Sequence, residues 1–325
     1  MDFALTSREE AFRSEVQIFL EKEIPEDFRL SLMFPAVDTS DKRIQNESRE
    51  MARKLGKKGW HSITWPKEWG GLEGSHLMEF IYVEEIMYYG GLGYDPQQVV
   101  HIAPVLLHFG TDKQKRDHLP PLAKGEVIWC QGFSEPDAGS DLASLKTRVT
   151  REGDDFIING QKVWSSRAHQ ADWCHVLART DSESTKHKGI SYFLVNMHSP
   201  GISVNPLNGM YGSQSMCEIF FDNVRVPREN MLGGLNQGWS VAMSMLDLER
   251  LIYIEQVGVG RRVLEMLVEY ANERGMSRDR LVRQNLAEMA VEIDVCRLIG
   301  QRAAWLIDRG LPVSGGVLYG QDYHY

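Results

Sequence analysis

Little in this 325-residue chain could hold a disulfide framework or a structural metal. Its four cysteines, Cys130, Cys174, Cys217 and Cys296, form no C-x-x-C pair and have no histidine at metal-ligand spacing. His175 adjoins Cys174, but neighbours on a strand point to opposite faces. Free thiols and a cytoplasmic setting are therefore expected. No stretch approaches the roughly 18 uninterrupted apolar residues of a membrane helix. The start, Met1-Asp2-Phe3-Ala4-Leu5-Thr6, lacks the basic and apolar regions of a secretory signal. Positive charge is in deficit, with 36 Lys and Arg against 45 Asp and Glu and a net charge of −9. That argues against a sequence-independent nucleic-acid binder, which needs a basic face. The G-x-S-x-G, H-E-x-x-H and G-x-x-x-x-G-K-[ST] signatures are absent. Gly258-Val259-Gly260 has Val263 at the third glycine position of a dinucleotide fingerprint and no strand before it.

What is present is a globular composition, 42% hydrophobic and 25% charged, in a chain long enough for two or three domains. The first third reads helical. Ser7-Arg8-Glu9-Glu10 has the form of a capping box, and Phe12, Val16, Phe19 and Leu20 follow at helical spacing up to Pro25. Further helical patterns cover 43–57, 76–89, 96–109 and 112–124, the last capped by Thr111, with Pro or Gly in the connections. From Glu126 the pattern changes to short β-prone runs that continue to Val226. Gly153-Asp154 and Asn159-Gly160 read as turns between them. Helical periodicity returns at Trp239, in one segment to about Arg274 and a second from Ser277 to Asp308. Gly310 to Tyr325 has no helical period. This order predicts an α+β chain with an N-terminal helical domain (1–125), a middle antiparallel β-barrel (126–236) and a C-terminal helical domain (237–325). Two C-terminal helices bury their apolar faces poorly alone, so they need partners from the first helical part or another subunit.

Three segments carry candidate chemistry. Trp129 to Asp141 runs from a strand into a polar loop. There Gly139 permits close backbone approach, and exposed amides with the Ser134 and Ser140 hydroxyls suit carbonyl or phosphate oxygens. The plainer alternative is a turn capped by Asp and Ser side chains. In Asn159 to Ser166, Trp164 either shields one face of a planar ring, with Ser166 on its heteroatoms, or is a core aromatic of the barrel. In Leu246-Asp247-Leu248-Glu249-Arg250, Glu249 shares a helical stripe with Tyr253, Gln256 and Gly260, while Asp247, Arg250 and Ile254 share the next. Leu246, Leu248 and Leu251 would desolvate Glu249 and raise its pKa toward a general base's range. A Glu–Arg ion pair is the alternative.

In this order and spacing the three segments resemble the acyl-CoA dehydrogenase family, from the N-terminal helices through about Ile307. The most specific stretches are Gly132-Phe133-Ser134-Glu135-Pro136-Asp137-Ala138-Gly139-Ser140-Asp141 and Ile158-Asn159-Gly160-Gln161-Lys162-Val163-Trp164-Ser165-Ser166. The resemblance implies noncovalent FAD and oxidation of an acyl-CoA to its 2,3-enoyl form. It also implies an electron-transfer flavoprotein or similar acceptor, and a homo- or hetero-oligomer. It places Gln131, Phe133, Ser134, Gly139 and Ser140 at the flavin, with Ser140 also at CoA. Trp164, Ser165 and Ser166 lie against the flavin's other side, Asp247 and Arg250 hold the CoA arm, and Glu249 is the catalytic base. Val99 belongs to a helix lining the acyl end, and Arg274 reaches a neighbouring subunit's FAD. Gly258 and Gly260, on the base-bearing segment, predict room for a bulky or branched acyl group. Family members continue through further C-terminal helices that carry a Gly-rich segment. Gly315-Gly316 does not match it, and Ser277 replaces the usual aromatic after Arg274. The last helices of the bundle are therefore expected to be missing. The alternative reading is a non-catalytic or truncated subunit acting with a complete paralogue.

Overall fold

The computed structural model describes residues 3–31, 41–184, 186–209, 214–249 and 254–311. Arg250, Leu251, Tyr253 and Gly315-Gly316 lie outside the described residues. Helix α1 (Ser7–Glu23) opens on a capping box, but its cap is Thr6 and not Ser7. The Thr6 hydroxyl accepts from the Glu9 amide at 3.3 Å, and the Glu9 carboxylate accepts from the Thr6 amide at 2.7 Å. Phe12, Val16 and Leu20, one turn apart, are its buried stripe. Then come α2 (Glu26–Ser31), α3 (Lys42–Lys57), α4 (His76–Tyr88), a π-helical turn (Gln97–Ile102), α5 (Ala103–Phe109) and α6 (Asp112–Ala123). The helix expected over 96–109 is thus wound as a π-turn in its first half. A second capping box, Thr111 with Gln114, starts α6.

Eight strands follow: β1 (Trp129–Gly132), β2 (Arg148–Glu152), β3 (Asp155–Ser166), β4 (Trp173–Arg179), β5 (Ile190–Asn196), β6 (Ile202–Leu207), β7 (Met216–Val226) and β8 (Met231–Leu232). They form one sheet in the order β6-β7-β3-β2-β4-β5-β8, with β1 added beside β4. The expected antiparallel barrel is corrected on two counts. The sheet is not closed into a barrel, and both β1 and β2 run parallel to β4. β1 enters from α6 and not from a hairpin, so nothing forces it antiparallel to β4. Asn159-Gly160 is a further correction, because β3 passes through it. Register against β7 shifts there, and a Cβ on Gly160 would overlap Thr147. The glycine serves close backbone approach and not chain reversal.

The chain ends in α7 (Gly238–Glu249), α8 (Ile254–Glu273) and α9 (Arg280–Ile307). Two compact units result. One gathers α1, α2, α4, α8 and α9. Every residue of α4 from Phe80 to Ile86 is buried, and α4 packs on α1, α8 and α9. Helices from both ends of the chain therefore share one core, which is the partnership the last two need. Within it the buried Glu84 and Glu85 face Arg13 and Arg261 at distances from 2.6 to 3.3 Å. Gly258 and Gly260 belong to this packing. A Cβ on Gly258 would overlap the Glu84 carbonyl, and one on Gly260 would meet Ile293 at 3.2 Å. They let α8 approach α4 and α9, which replaces the acyl-room reading. The second unit holds α3, the π-turn, α5, α6, the sheet and α7. Among the described residues no helix is long and apolar enough to cross a membrane, and no group of His, Cys, Asp or Glu could hold a metal.

Candidate active site

β1 ends at Gly132 and releases the loop Phe133–Asp141. Glu135 and Ala138 exchange backbone hydrogen bonds of 2.9 and 3.1 Å, closing a turn over Pro136-Asp137. Beneath the turn the Glu135 carboxylate accepts from the Lys146 and Thr147 amides at 2.6 and 2.9 Å and from Lys162 Nζ at 2.8 Å. Lys162 Nζ also donates to the Phe133 carbonyl at 3.0 Å. The lysine is 0% exposed and the glutamate 6%. Burial lowers the Lys162 pKa from its ordinary value, an effect Glu135 only partly offsets. Burial alone would raise Glu135; the Lys162 charge and the hydrogen bonds outweigh it and hold the carboxyl below its usual range. Sequence reasoning passed over both residues, although each lies in one of the two diagnostic stretches. The available signal was period-two alternation, which puts Lys162 on the face of Phe156 and Ile158.

The Lys162–Glu135 pair ties the loop to β3, and the Val163 amide adds a bond to the Ser134 carbonyl at 2.9 Å. Gly139 and Ser140 are left exposed, Ser134 is half-buried, and Phe133 is buried. Just beyond, register between β3 and β7 slips again between Lys162 and Ser165. Trp164 stands on this bulge with a φ of 62° and 65% of its surface exposed. A barrel-core role for it is thereby corrected. A bulky residue in the left-handed region is an outlier, and such outliers cluster at ligand sites. Ser165 is buried opposite Cys217, and among the described residues its hydroxyl has no hydrogen-bond partner. Ser166 is half-buried, with its hydroxyl 3.4 Å from the Met216 sulfur. Arg167 follows the strand, also left-handed at 56°, and lies 3.4 Å from the buried Asp95.

Asp95 leads into the π-turn, which packs against β1, α5 and α7 and buries Val99. At its start the Gln97 amide donates to Asp95 at 3.0 Å. Burial raises the Asp95 pKa, while Arg167 and the Gln97 amide oppose the rise. On the α7 side the Gln131 amide group lies 3.8 Å from the Met245 sulfur. Asp247 and Glu249 are in the last turn of α7. Arg274 follows α8 in the other unit, with its guanidinium 5.3 Å from the centre of the Tyr270 ring. An exposed indole on a bulge, beside it a buried hydroxyl with no partner among the described residues, and the exposed Gly139-Ser140 backbone together suit a planar heterocycle with a polar tail.

Three family models match in succession: the acyl-CoA dehydrogenase N-terminal domain over residues 6–126, the middle domain over 130–224 and the C-terminal domain over 236–318. Acyl-CoA dehydrogenase IpdE1 of Mycolicibacterium smegmatis is 34% identical over 294 residues, covering 85% of this chain and 74% of that relative. The chain belongs to the acyl-CoA dehydrogenase family. Its N-terminal helical, middle β and C-terminal helical regions are those of that fold, a fold of flavoprotein oxidoreductases that use FAD. IpdE1 of Mycobacterium tuberculosis is 39% identical over 246 residues, which is 74% of this chain and 63% of that relative's length. Among solved structures, the Tcur3481-Tcur3483 steroid ACAD superposes with a TM-score of 0.85 at 30% identity, covering 96% of this chain and 79% of that one.

Proposed function

We propose that this chain binds FAD and oxidises an acyl-CoA thioester to its 2,3-enoyl product, with Glu249 as the base. The observation that carries the reading is Trp164, held exposed in a left-handed conformation on the bulge that also carries Ser165 and Ser166. Trp164, Ser165 and Ser166 would wall one side of the flavin. Gln131, Phe133, Ser134, Gly139 and Ser140 would hold its ring and polar tail, and Arg274 would reach the FAD of a neighbouring chain. When bound, FAD accepts the hydride that leaves the β-carbon. Glu249 takes the α-proton. That proton is weakly acidic, so the carboxylate must be close, aligned and desolvated. Hydrogen bonds to the thioester carbonyl stabilise the enolate-like charge as it develops. Ser140, Asp247 and Arg250 hold the CoA arm, and Val99 lines the acyl end.

Electrons pass on to an electron-transfer flavoprotein or similar acceptor, and the chain works as a homo- or hetero-oligomer. A structural neighbour that bears two protein names supports pairing with a second chain. Its description also makes steroid-derived acyl-CoAs the first substrates to try. Free Cys130, Cys174 and Cys217 in the interior suit the reducing cytoplasm. The test is direct. The purified chain should be yellow, and its flavin should bleach anaerobically with some member of a panel of straight, branched and ring-bearing acyl-CoAs. Protein that takes up no flavin, alone or with a partner chain, overturns the reading.

A further inference from the structure

The π-helical turn Gln97–Ile102 sits between two polar ties that the sequence did not disclose. A π-turn carries one residue more than an α-turn and persists where neighbours fix it, frequently at functional sites. The first tie is Asp95, which accepts from the Gln97 amide and lies 3.4 Å from Arg167 just after β3. The second begins at the Gln97 side chain, where Oε1 can only accept, so His175 Nε2 donates to it at 3.3 Å. That leaves His175 Nδ1 to accept from the Tyr192 hydroxyl at 2.6 Å. His175 and Tyr192 are both 0% exposed, and their rings stack at 5.7 Å. Burial, reinforced by His101 nearby, holds His175 in its neutral form, so the bonding pattern does not change with pH in the working range.

Phe133 stands edge-on to both rings, at 5.4 and 5.8 Å. With its one proton committed to His175, the Tyr192 hydroxyl oxygen packs against the Met245 sulfur at 3.9 Å as a contact, and the Gln131 amide group donates to the same sulfur at 3.8 Å. Met245 is four residues before Glu249 in α7, about one helical turn. Apolar packing would fill this space at lower desolvation cost, but the directional Gln97–His175–Tyr192 bonds fix where the Tyr192 oxygen presses on Met245. We propose that His175 is a positioning residue: the chain Gln97–His175–Tyr192–Met245 couples the acyl-lining π-turn to the helix that carries the base. The proposal rests on the functional reading above for the identity of the base and of the acyl-lining turn.

Hydrogen exchange measured on the purified chain tests the coupling without reference to activity. His175→Gln keeps a donor for Gln97 but offers Tyr192 no ring nitrogen. Exchange should therefore stay slow over 97–102 and rise about tenfold over 241–249, as expected for one lost buried hydrogen bond. His175→Phe should raise both segments, while β3 and β7 stay protected. If that variant fails to fold, Tyr192→Phe, which deletes one oxygen, should still raise 241–249 alone. In flavin bleaching, His175→Gln should slow the reduction step and leave acyl-CoA affinity unchanged. Equal exchange in both segments, or a lower melting temperature with no segment preference, overturns the positioning role. Loss of bleaching in the unmutated chain would sink the functional reading and still leave the exchange result to decide the coupling.

Discussion

Trp164 holds a backbone conformation that nothing in its own local sequence requires, since Gly or Asn, not Trp, is the ordinary occupant of the left-handed region. Its indole, 65% exposed, contributes little to the core, so the side chain's worth lies in what it covers. Trp164→Gly should therefore leave the flavin-free chain as stable as before, or more so by about 0.5–1 kcal/mol through relief at φ 62°. The same change should strip FAD from the protein. Melting temperature and flavin retained on dialysis separate the two effects, and full flavin retention would end the wall assignment. Glu249 offers a complementary experiment. Glu249→Gln keeps shape and hydrogen bonding but removes the proton acceptor, so FAD and acyl-CoA should still bind. Losing ~4 kcal/mol of transition-state stabilisation would slow bleaching about a thousandfold. Near-normal bleaching would remove Glu249 as the base.

Buried and half-buried charges help tie the elements together, and these contacts respond to pH. Lys162→Met leaves the nearly buried Glu135 carboxylate without its cation, at a cost of about 3–5 kcal/mol, and should loosen the Phe133–Asp141 loop. Adding Glu135→Gln should recover part of that loss. Because the folded chain holds Glu135 below its ordinary 4.5, the contribution is full above 4.5 and is lost as pH falls through the folded value. Denaturation curves at pH 7 and pH 4 should thus differ less for the double variant than for the parent. A second tie joins the end of α9 to the start of α4, where Asp308 accepts from the His76 amide and ring at 2.7 and 2.8 Å. Burial alone would lower His76, but Asp308 and Glu79 outweigh it and raise its pKa above 6.5. Its contribution is complete below 6.5 and is lost as pH rises through the folded value. Asp308→Asn should therefore lower the melting temperature more at pH 6 than at pH 9, and an equal loss at both would refute the ion pair. Local signals revealed α1 and α6, because capping side chains lie three residues from their partners. Asn159-Gly160 misled for the opposite reason, since its glycine answers to Thr147, on a different strand approach. The Lys162–Glu135 pair and the bulge under Trp164 likewise arise from β3 meeting β1 and β7, and no local period announces them.

Among the described residues, exposed apolar side chains gather on the last two helices. α9 runs for 28 residues but buries only Gly300, Gln301, Ala303 and Ala304. Val291, Val295 and Ile299, each four residues apart, are 63, 48 and 63% exposed, and Leu281 is 68% exposed. Leu267, Val268 and Tyr270 add exposed apolar surface on α8. A row at this spacing is one continuous face of a helix, and soluble monomers rarely leave such a face to water. α4 packs on these helices from the inner side, and the outer face suits packing by a further surface. With no other protein present, the expected partner is another copy, and light scattering during gel filtration should give a multiple of 37.1 kDa at micromolar concentration. Val295→Glu with Ile299→Glu should reduce that mass to one chain. Both positions are exposed within the chain, so the double variant should keep its far-ultraviolet circular dichroism. If Arg274 reaches the cofactor of a neighbour, the same variant should also lose flavin more readily than the parent, though Trp164 and the Phe133–Asp141 loop are untouched. A parent chain that already runs at the mass of one copy would refute self-association, and flavin retention unchanged in the dissociated variant would refute the role given to Arg274.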